Sequence, residues 1–106
     1  MEDDARIPAH LEVAGLRRMV EAAGGFATIL NRGERDAGTI LVVCSENGEI
    51  IGLHERMPQL DGTRKWEEIV KKQGNNGEYI QRRRNQDPDL WIVELDIANG
   101  KRFIDN

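Results

Sequence analysis

The chain has 106 residues, of which 39% are hydrophobic and 32% charged, and its formal net charge is −4. A chain of this length buries roughly two thirds of its unfolded surface, so residues 1–106 are expected to form one domain needing neither disulfide nor structural metal. No apolar run reaches the ~18 residues of a membrane span, Met1-Glu2-Asp3-Asp4 is acidic where an import signal is basic, and Cys44 is alone; together these point to a cytoplasmic, bacterial-type protein.

Residues 1–7 read as a loosely held N-terminus. The first predicted element is a helix from Pro8 to Ala23, with proline suited to the first helical position and Gly24-Gly25 as a stop. Val13, Leu16, Met19, Val20 and Ala23 share one arc at ~100° per residue, which predicts a core face, while Arg17, Arg18 and Glu21 take the other side. Phe26-Ala27-Thr28-Ile29-Leu30 reads as a short strand, apolar on both faces and so expected inside a sheet. The charged loop Arg32–Gly38 then leads into Thr39–Cys44, the most apolar run in the chain.

Asn47-Gly48 is suited to a tight hairpin turn, with Glu49–Met57 returning as the partner strand. A two-residue turn sets Cys44 opposite Ile51, and a glycine-bulged turn sets it opposite Ile50; hydrophobicity does not choose. Lys65–Val70 alternates loosely as a strand, with helix as the competing assignment. Asn75 and Glu78 resemble a capping box opening a helix through Gln86, and Pro88 ends it. A final hairpin closed at Asn99-Gly100 sets Leu95 against Phe103 and Asp96 against Arg102. The predicted fold is α+β, a mainly antiparallel sheet of about six strands packed against two helices on one face, in the order α-β-β-β-β-α-β-β.

The segments Gly15-Leu16-Arg17-Arg18, Gly24-Gly25-Phe26, Arg32-Gly33-Glu34-Arg35-Asp36-Ala37-Gly38 and Asp87-Pro88-Asp89-Leu90-Trp91-Ile92-Val93-Glu94 occur together over nearly the whole chain. In order and spacing they resemble a family of small alphaproteobacterial proteins classed as a domain of unknown function. The resemblance implies an α+β cytoplasmic domain. It brings no activity, cofactor or catalytic residue.

Two polar constellations stand out. The loop carrying Glu34, Arg35 and Asp36 and the corner carrying Arg84, Asp87 and Asp89 each mix arginine with carboxylates beside a strand. Glu34, Asp36, Asp87 and Asp89 could converge on a divalent ion or serve acid–base chemistry, with Arg35 or Arg84 holding an anion. The alternative is that they shape turns and pair across adjacent loops. Asp89 and Glu94 superficially resemble part of a metal-dependent nuclease motif, but its lysine is replaced by Asp96 and the odd spacing turns the two carboxylates to opposite faces of a strand.

Charge is uneven along the chain: residues 1–63 carry −5, residues 64–84 carry +4 and residues 85–106 carry −3. Lys71, Lys72, Arg82 and Arg83 in the basic stretch are candidates for an anionic partner. Three consecutive helical arginines, Arg82-Arg83-Arg84, span about 200° of arc and cannot all face one phosphate backbone, so nucleic acid is disfavoured. Trp66 and Trp91 read as core anchors, Cys44 as a small core hydrophobe, and His10 and His54 as surface histidines without metal-ligand spacing.

With two histidines, one serine and one cysteine, the chain is poor in nucleophiles and bases. No catalytic residue, metal or cofactor is expected. The reading is a non-catalytic protein–protein interaction module, with a second copy meeting through a sheet edge as one candidate partner. The alternatives are a metal-assisted or acid–base enzyme on the Glu34/Asp36/Asp87/Asp89 loops and nucleic-acid binding through residues 64–84.

Overall fold

A computed structural model describes residues 7–36, 38–58, 60–69 and 76–104. The elements are α1 (Ala9–Ala22), β1 (Phe26–Asn31), β2 (Ile40–Glu46), β3 (Glu49–Pro58), β4 (Arg64–Ile69), α2 (Asn76–Gln86), β5 (Trp91–Asp96) and the 3-10 turn Gly100–Phe103. One five-stranded sheet runs in the order β1-β5-β2-β3-β4. Among the described residues only the β2–β5 pair is parallel. The fold is α+β, and no helix among the described residues is long and apolar enough to cross a membrane.

In α1 the core arc is Ala9, Val13, Leu16 and Val20. Met19 and Ala23, expected on that arc, are exposed, because Met19 stands about 60° round the helix from Leu16 and clears the sheet. Gly24 ends the helix with φ +94°, a left-handed conformation that glycine adopts without a Cβ penalty.

The central strand β2 is buried on both sides. Ile40, Val42 and Cys44 join Trp91, Val93, Leu95 and the α1 arc on one face. Leu41 and Val43 join Leu53, Leu90 and Ile92 on the other, where Tyr79 and Ile80 of α2 pack. The two helices therefore cover opposite faces of the sheet, not one face as expected. Strand periodicity gives each face an apolar set, and neither set can stay open to water.

β1 is an edge strand, which corrects the expectation of an interior one. Its inward residues Ala27 and Ile29 pack on the core, and β5 takes its one paired side. Apolar residues on both faces are compatible with an edge when one of those faces is left exposed.

The hairpin at Asn47-Gly48 has φ +54° and +84°, the pair of positive values a two-residue turn requires, with Ser45 opposite Ile50. A bulge then shifts the register, so that Cys44 faces Gly52 and Val43 faces Leu53. Neither expected partner of Cys44 survives the shift, and the extra residue Ile51 is 53% exposed. The shift brings Leu53 alongside Val43 on the α2 face.

Residues 64–69 are a strand, as the alternation predicted, with Trp66 packed against the α1-side core. The Asn75 capping box and Val70 lie outside the described residues. The predicted sixth strand is absent from the described residues: Gly100–Phe103 is a 3-10 turn that Asn99 opens in a left-handed conformation. Asp96 accepts from the Asn47 and Gly48 amides, and Arg102 donates to the carbonyls of Ala98 and Asn99, so the expected Asp96–Arg102 and Leu95–Phe103 pairings do not form. The physical reason is topological. β5 already has β1 on one side and β2 on the other, leaving no edge for a returning strand.

Candidate functional site

The two charged loops do meet, and their meeting follows from the strand order. Because β5 lies between β1 and β2, the loop after β1 must cross the start of β5 to reach β2. Its glycines are what allow the crossing. A Cβ on Gly33 would stand 2.3 Å from the Asp89 carbonyl oxygen, and one on Gly38 would stand 2.7 Å from the same atom. The Glu34 amide donates to the Asp89 carbonyl at 2.9 Å, and the Trp91 indole N–H donates to the Glu34 carbonyl at 2.6 Å. Arg32 lies over the Trp91 ring at 5.6 Å from its centroid.

The same loop caps α1. The carbonyls of Asp36 and Arg35 accept from the backbone amides of Ala9 at 3.0 Å and His10 at 2.9 Å, two of the donors a helix N-terminus leaves unpaired. The His10 ring nitrogen Nδ1 also lies 3.0 Å from the Arg35 carbonyl. On the other side, Asn31 Nδ2 donates to the Leu90 carbonyl at 2.7 Å. The loop is therefore a clasp that joins α1, β1 and the start of β5 through backbone groups.

The candidate carboxylates act locally within this clasp. Glu34 Oε1 accepts from the Asp36 amide at 3.0 Å, and Asp87 Oδ1 accepts from the Asp89 amide at 3.1 Å. Arg35 pairs with Asp36 at 3.9 Å, with both side chains more than two-thirds exposed, a geometry that contributes little. Arg84 and Asp89 are exposed. Among the described residues no three His, Cys, Asp or Glu side chains gather closely enough to hold a metal ion.

Of the basic candidates, Lys71 and Lys72 lie outside the described residues and Arg82 is exposed. Arg83 is drawn inward. Its Nε and Nη2 donate to the Glu55 carboxylate at 3.2 and 2.5 Å, and the Tyr79 hydroxyl approaches the same carboxylate at 3.4 Å. Glu55 is only 4% exposed. Its hydrogen bond to Arg83 holds the guanidinium pKa above its ordinary value. Burial, and then the Glu55 charge, push the Tyr79 phenol up. Sequence reasoning missed this cluster. The available signal was a glutamate two residues from Leu53, on the strand face that alternation assigns to the core.

His54 was expected at the surface and is instead buried at 5% exposure, in a strand paired on both sides. Its ring leans over Gly52, where a Cβ would come within 3.3 Å of Nε2. On the same side of the sheet Arg56 of β3 bonds to Glu12 of α1 and lies over Trp66 at 5.7 Å.

The two sheet edges differ in kind. β4 carries exposed Lys65, Glu67 and Glu68, the charges by which edge strands resist pairing. β1, Phe-Ala-Thr-Ile-Leu-Asn, carries no charge and alternates exposed and half-buried. Its exposed set is Phe26 at 74%, Thr28 and Leu30 at 38%.

Residues 7–105 match the family DUF1491, described as a protein of unknown function. Among solved structures, the chain is similar to a crystal structure of a DUF1491 family protein from Caulobacter crescentus, at 31% identity over 92% of this chain and 94% of that one, with a TM-score of 0.79. An NMR structure of a DUF1491 family protein from the same organism gives 30% identity, 94% coverage of each chain and a TM-score of 0.81. The solution structure of protein Atu0922 from A. tumefaciens gives 28% identity over 90% of this chain and 89% of that one, with a TM-score of 0.72. No curated protein matches the chain.

Proposed function

The chain belongs to the DUF1491 family of proteins of unknown function, and from that starting point we propose that it is a non-catalytic protein-interaction module whose docking element is the free edge of β1. One observation carries the reading. β1 is an uncharged edge strand that leaves Phe26 74% exposed, while the opposite edge is guarded by charge. An open edge offers a row of backbone donors and acceptors to an extended segment, and the alternate side chains Phe26, Thr28 and Leu30 supply the contacts that select it. The loop carboxylates and Arg83 are engaged elsewhere. The Glu34–Asp36 loop and the Asp87–Asp89 corner hold the clasp, and Arg83 holds Glu55.

The test is positional. A photo-reactive phenylalanine analogue is placed at Phe26, and in a second variant at Ile51, an exposed apolar residue of β3 away from the β1 edge. Protein adducts at position 26 and none at position 51 are expected after irradiation in cells. Equal adducts at both positions, or none at 26, overturn the reading.

A further inference from the structure

Resting on that reading, we propose that the β1 edge takes a short extended protein segment whose Lys or Arg, flanked by apolar residues, lies opposite Thr28 and reaches Glu94 behind it. The length of the open ladder comes first. β1 keeps a regular register with β5 over Phe26–Ile29 and loses it between Ile29 and Asn31. A strand added to the edge therefore finds only that stretch in regular geometry, which favours a short occupant over a long one.

Side chains of an added strand alternate between the two faces of the sheet, as those of β1 do. On one face Ala27 and Ile29 form the margin of the core under α1. The occupant residues on either side of the Thr28 position meet that margin, and apolar neighbours suit it. The other face has a different character. Thr28 stands across from Glu94, and Phe26 across from Asp96. Tyr79 and Ile80 of α2 pack on an apolar set that in β5 ends at Ile92, one same-face position short of Glu94.

Glu94 is the carboxylate open to a partner. It is half-buried, its Oε2 accepts from the Ser45 hydroxyl at 2.7 Å, and among the described residues no Lys or Arg pairs with it. Asp96 differs, since its two oxygens already accept from the Asn47 and Gly48 amides and Phe26 stands between it and the edge. Neighbouring strands lie ~4.8 Å apart, so the backbone of an occupant runs about 10 Å from that of β5. The long side chains of Glu94 and of a Lys or Arg close that gap from its two ends, over the short side chain of Thr28. A charge-assisted hydrogen bond formed there is partly shielded from water, and an acidic residue at the same position of the occupant would meet like charge instead. β1 itself has no charged residue that could supply the cation. The backbone edge thus gives affinity, and Glu94 gives the choice of sequence.

The probe is a yeast-displayed library of random heptapeptides, selected on the full chain. Enriched clones are expected to carry Lys or Arg between two apolar residues. Selection on Glu94→Gln, which keeps an acceptor for Ser45, is expected to retain the apolar residues and lose the basic one. For one clone made as a fluorescent peptide, exchange of its basic residue for glutamine is expected to weaken binding to wild type about threefold to tenfold and to leave binding to Glu94→Gln unchanged. Thr28→Arg supplies the cation from the chain itself and is expected to abolish the basic preference by a second route. Circular dichroism establishes that each variant is folded.

Phe26→Lys, which places a charge on the edge, separates this inference from the reading beneath it. Clones that fail to bind Phe26→Lys but carry no basic enrichment, or keep it on both Glu94→Gln and Thr28→Arg, overturn the basic occupant and leave the edge as a docking element. Clones indifferent to Phe26→Lys, or a library with no enrichment, overturn both.

Discussion

At the scale of single residues, two glycines have opposite jobs that the bare sequence does not distinguish. Gly33 is required by contact: the 2.3 Å between a Cβ there and the Asp89 carbonyl leaves no room without moving backbone. Gly15 meets nothing within 4 Å and only costs helix stability. Gly33→Ala is therefore expected to destabilise the fold by about 2–3 kcal/mol. Gly15→Ala is expected to stabilise it by about 0.5–1 kcal/mol. Urea unfolding of the two variants beside wild type checks both signs. The contrast also explains why the glycine-containing charged loop and the Asp-Pro-Asp-Leu-Trp segment occur together, since each is the surface against which the other is shaped. Their spacing predicted an association, and their carboxylates suggested chemistry. The structure uses the backbone instead, which no count of side-chain charges reveals.

At the scale of elements, α2 is the least anchored. None of its residues is buried, and it meets the sheet through Tyr79, Ile80 and Arg83. Arg83→Ala would leave Glu55 as an uncompensated buried carboxylate. A loss of about 2–3 kcal/mol is expected, moderated by the partial exposure of Arg83, together with faster amide hydrogen exchange across Asn76–Gln86 than in β2. The sign of the pH dependence follows from the protonation states. Tyr79 has its pKa raised above 10.0, chiefly by burial, and Arg83 is likewise raised by its bond to Glu55. In both cases the folded state favours the protonated form, so the contribution is complete below the unfolded values and declines as pH rises through the folded ones. The urea midpoint of wild type is thus expected to fall more steeply above pH ~10 than that of Tyr79→Phe.

Much of this level was legible in the sequence. The α1 arc, the Asn47-Gly48 turn and the strand character of residues 64–69 each rest on local periodicity or turn chemistry. What local pattern cannot carry is adjacency. β1 read as interior because its composition does not say which neighbours it has, and the last hairpin failed because β5 had already lost both edges to distant strands. The bulge at Ile51 is of the same kind, since it satisfies a face built by α2 and β5. Glu55 and Arg83, 28 positions apart, could be paired only once α2 was known to cross the face that Glu55 occupies.

At the scale of the whole molecule, the overall charge of −4 hides a division of labour between the two edges of one sheet. β4 carries exposed charges and β1 carries none. The basic stretch of residues 64–84 has Arg83 turned to Glu55, which weakens it as an anionic docking face. The candidate site was thus partly legible: the apolar character of Phe26–Leu30 was plain, but its exposure depends on the strand order.

That strand order also governs when the protein can form. β1 and β2 follow one another in the chain yet are held apart by β5, the last strand of the sheet in chain order. Until Trp91–Asp96 emerges, the nascent chain holds two apolar strands with no correct partner between them, and their mutual pairing is a trap that the finished sheet must undo. A chain stopped at Gln86 is accordingly expected to show no cooperative thermal transition, whereas full-length protein refolds with the slow kinetics of long-range strand insertion. The clasp, which closes over the start of β5, can lock only once Trp91–Asp96 is in place, so insertion of β5 becomes the event that commits this domain to its shape.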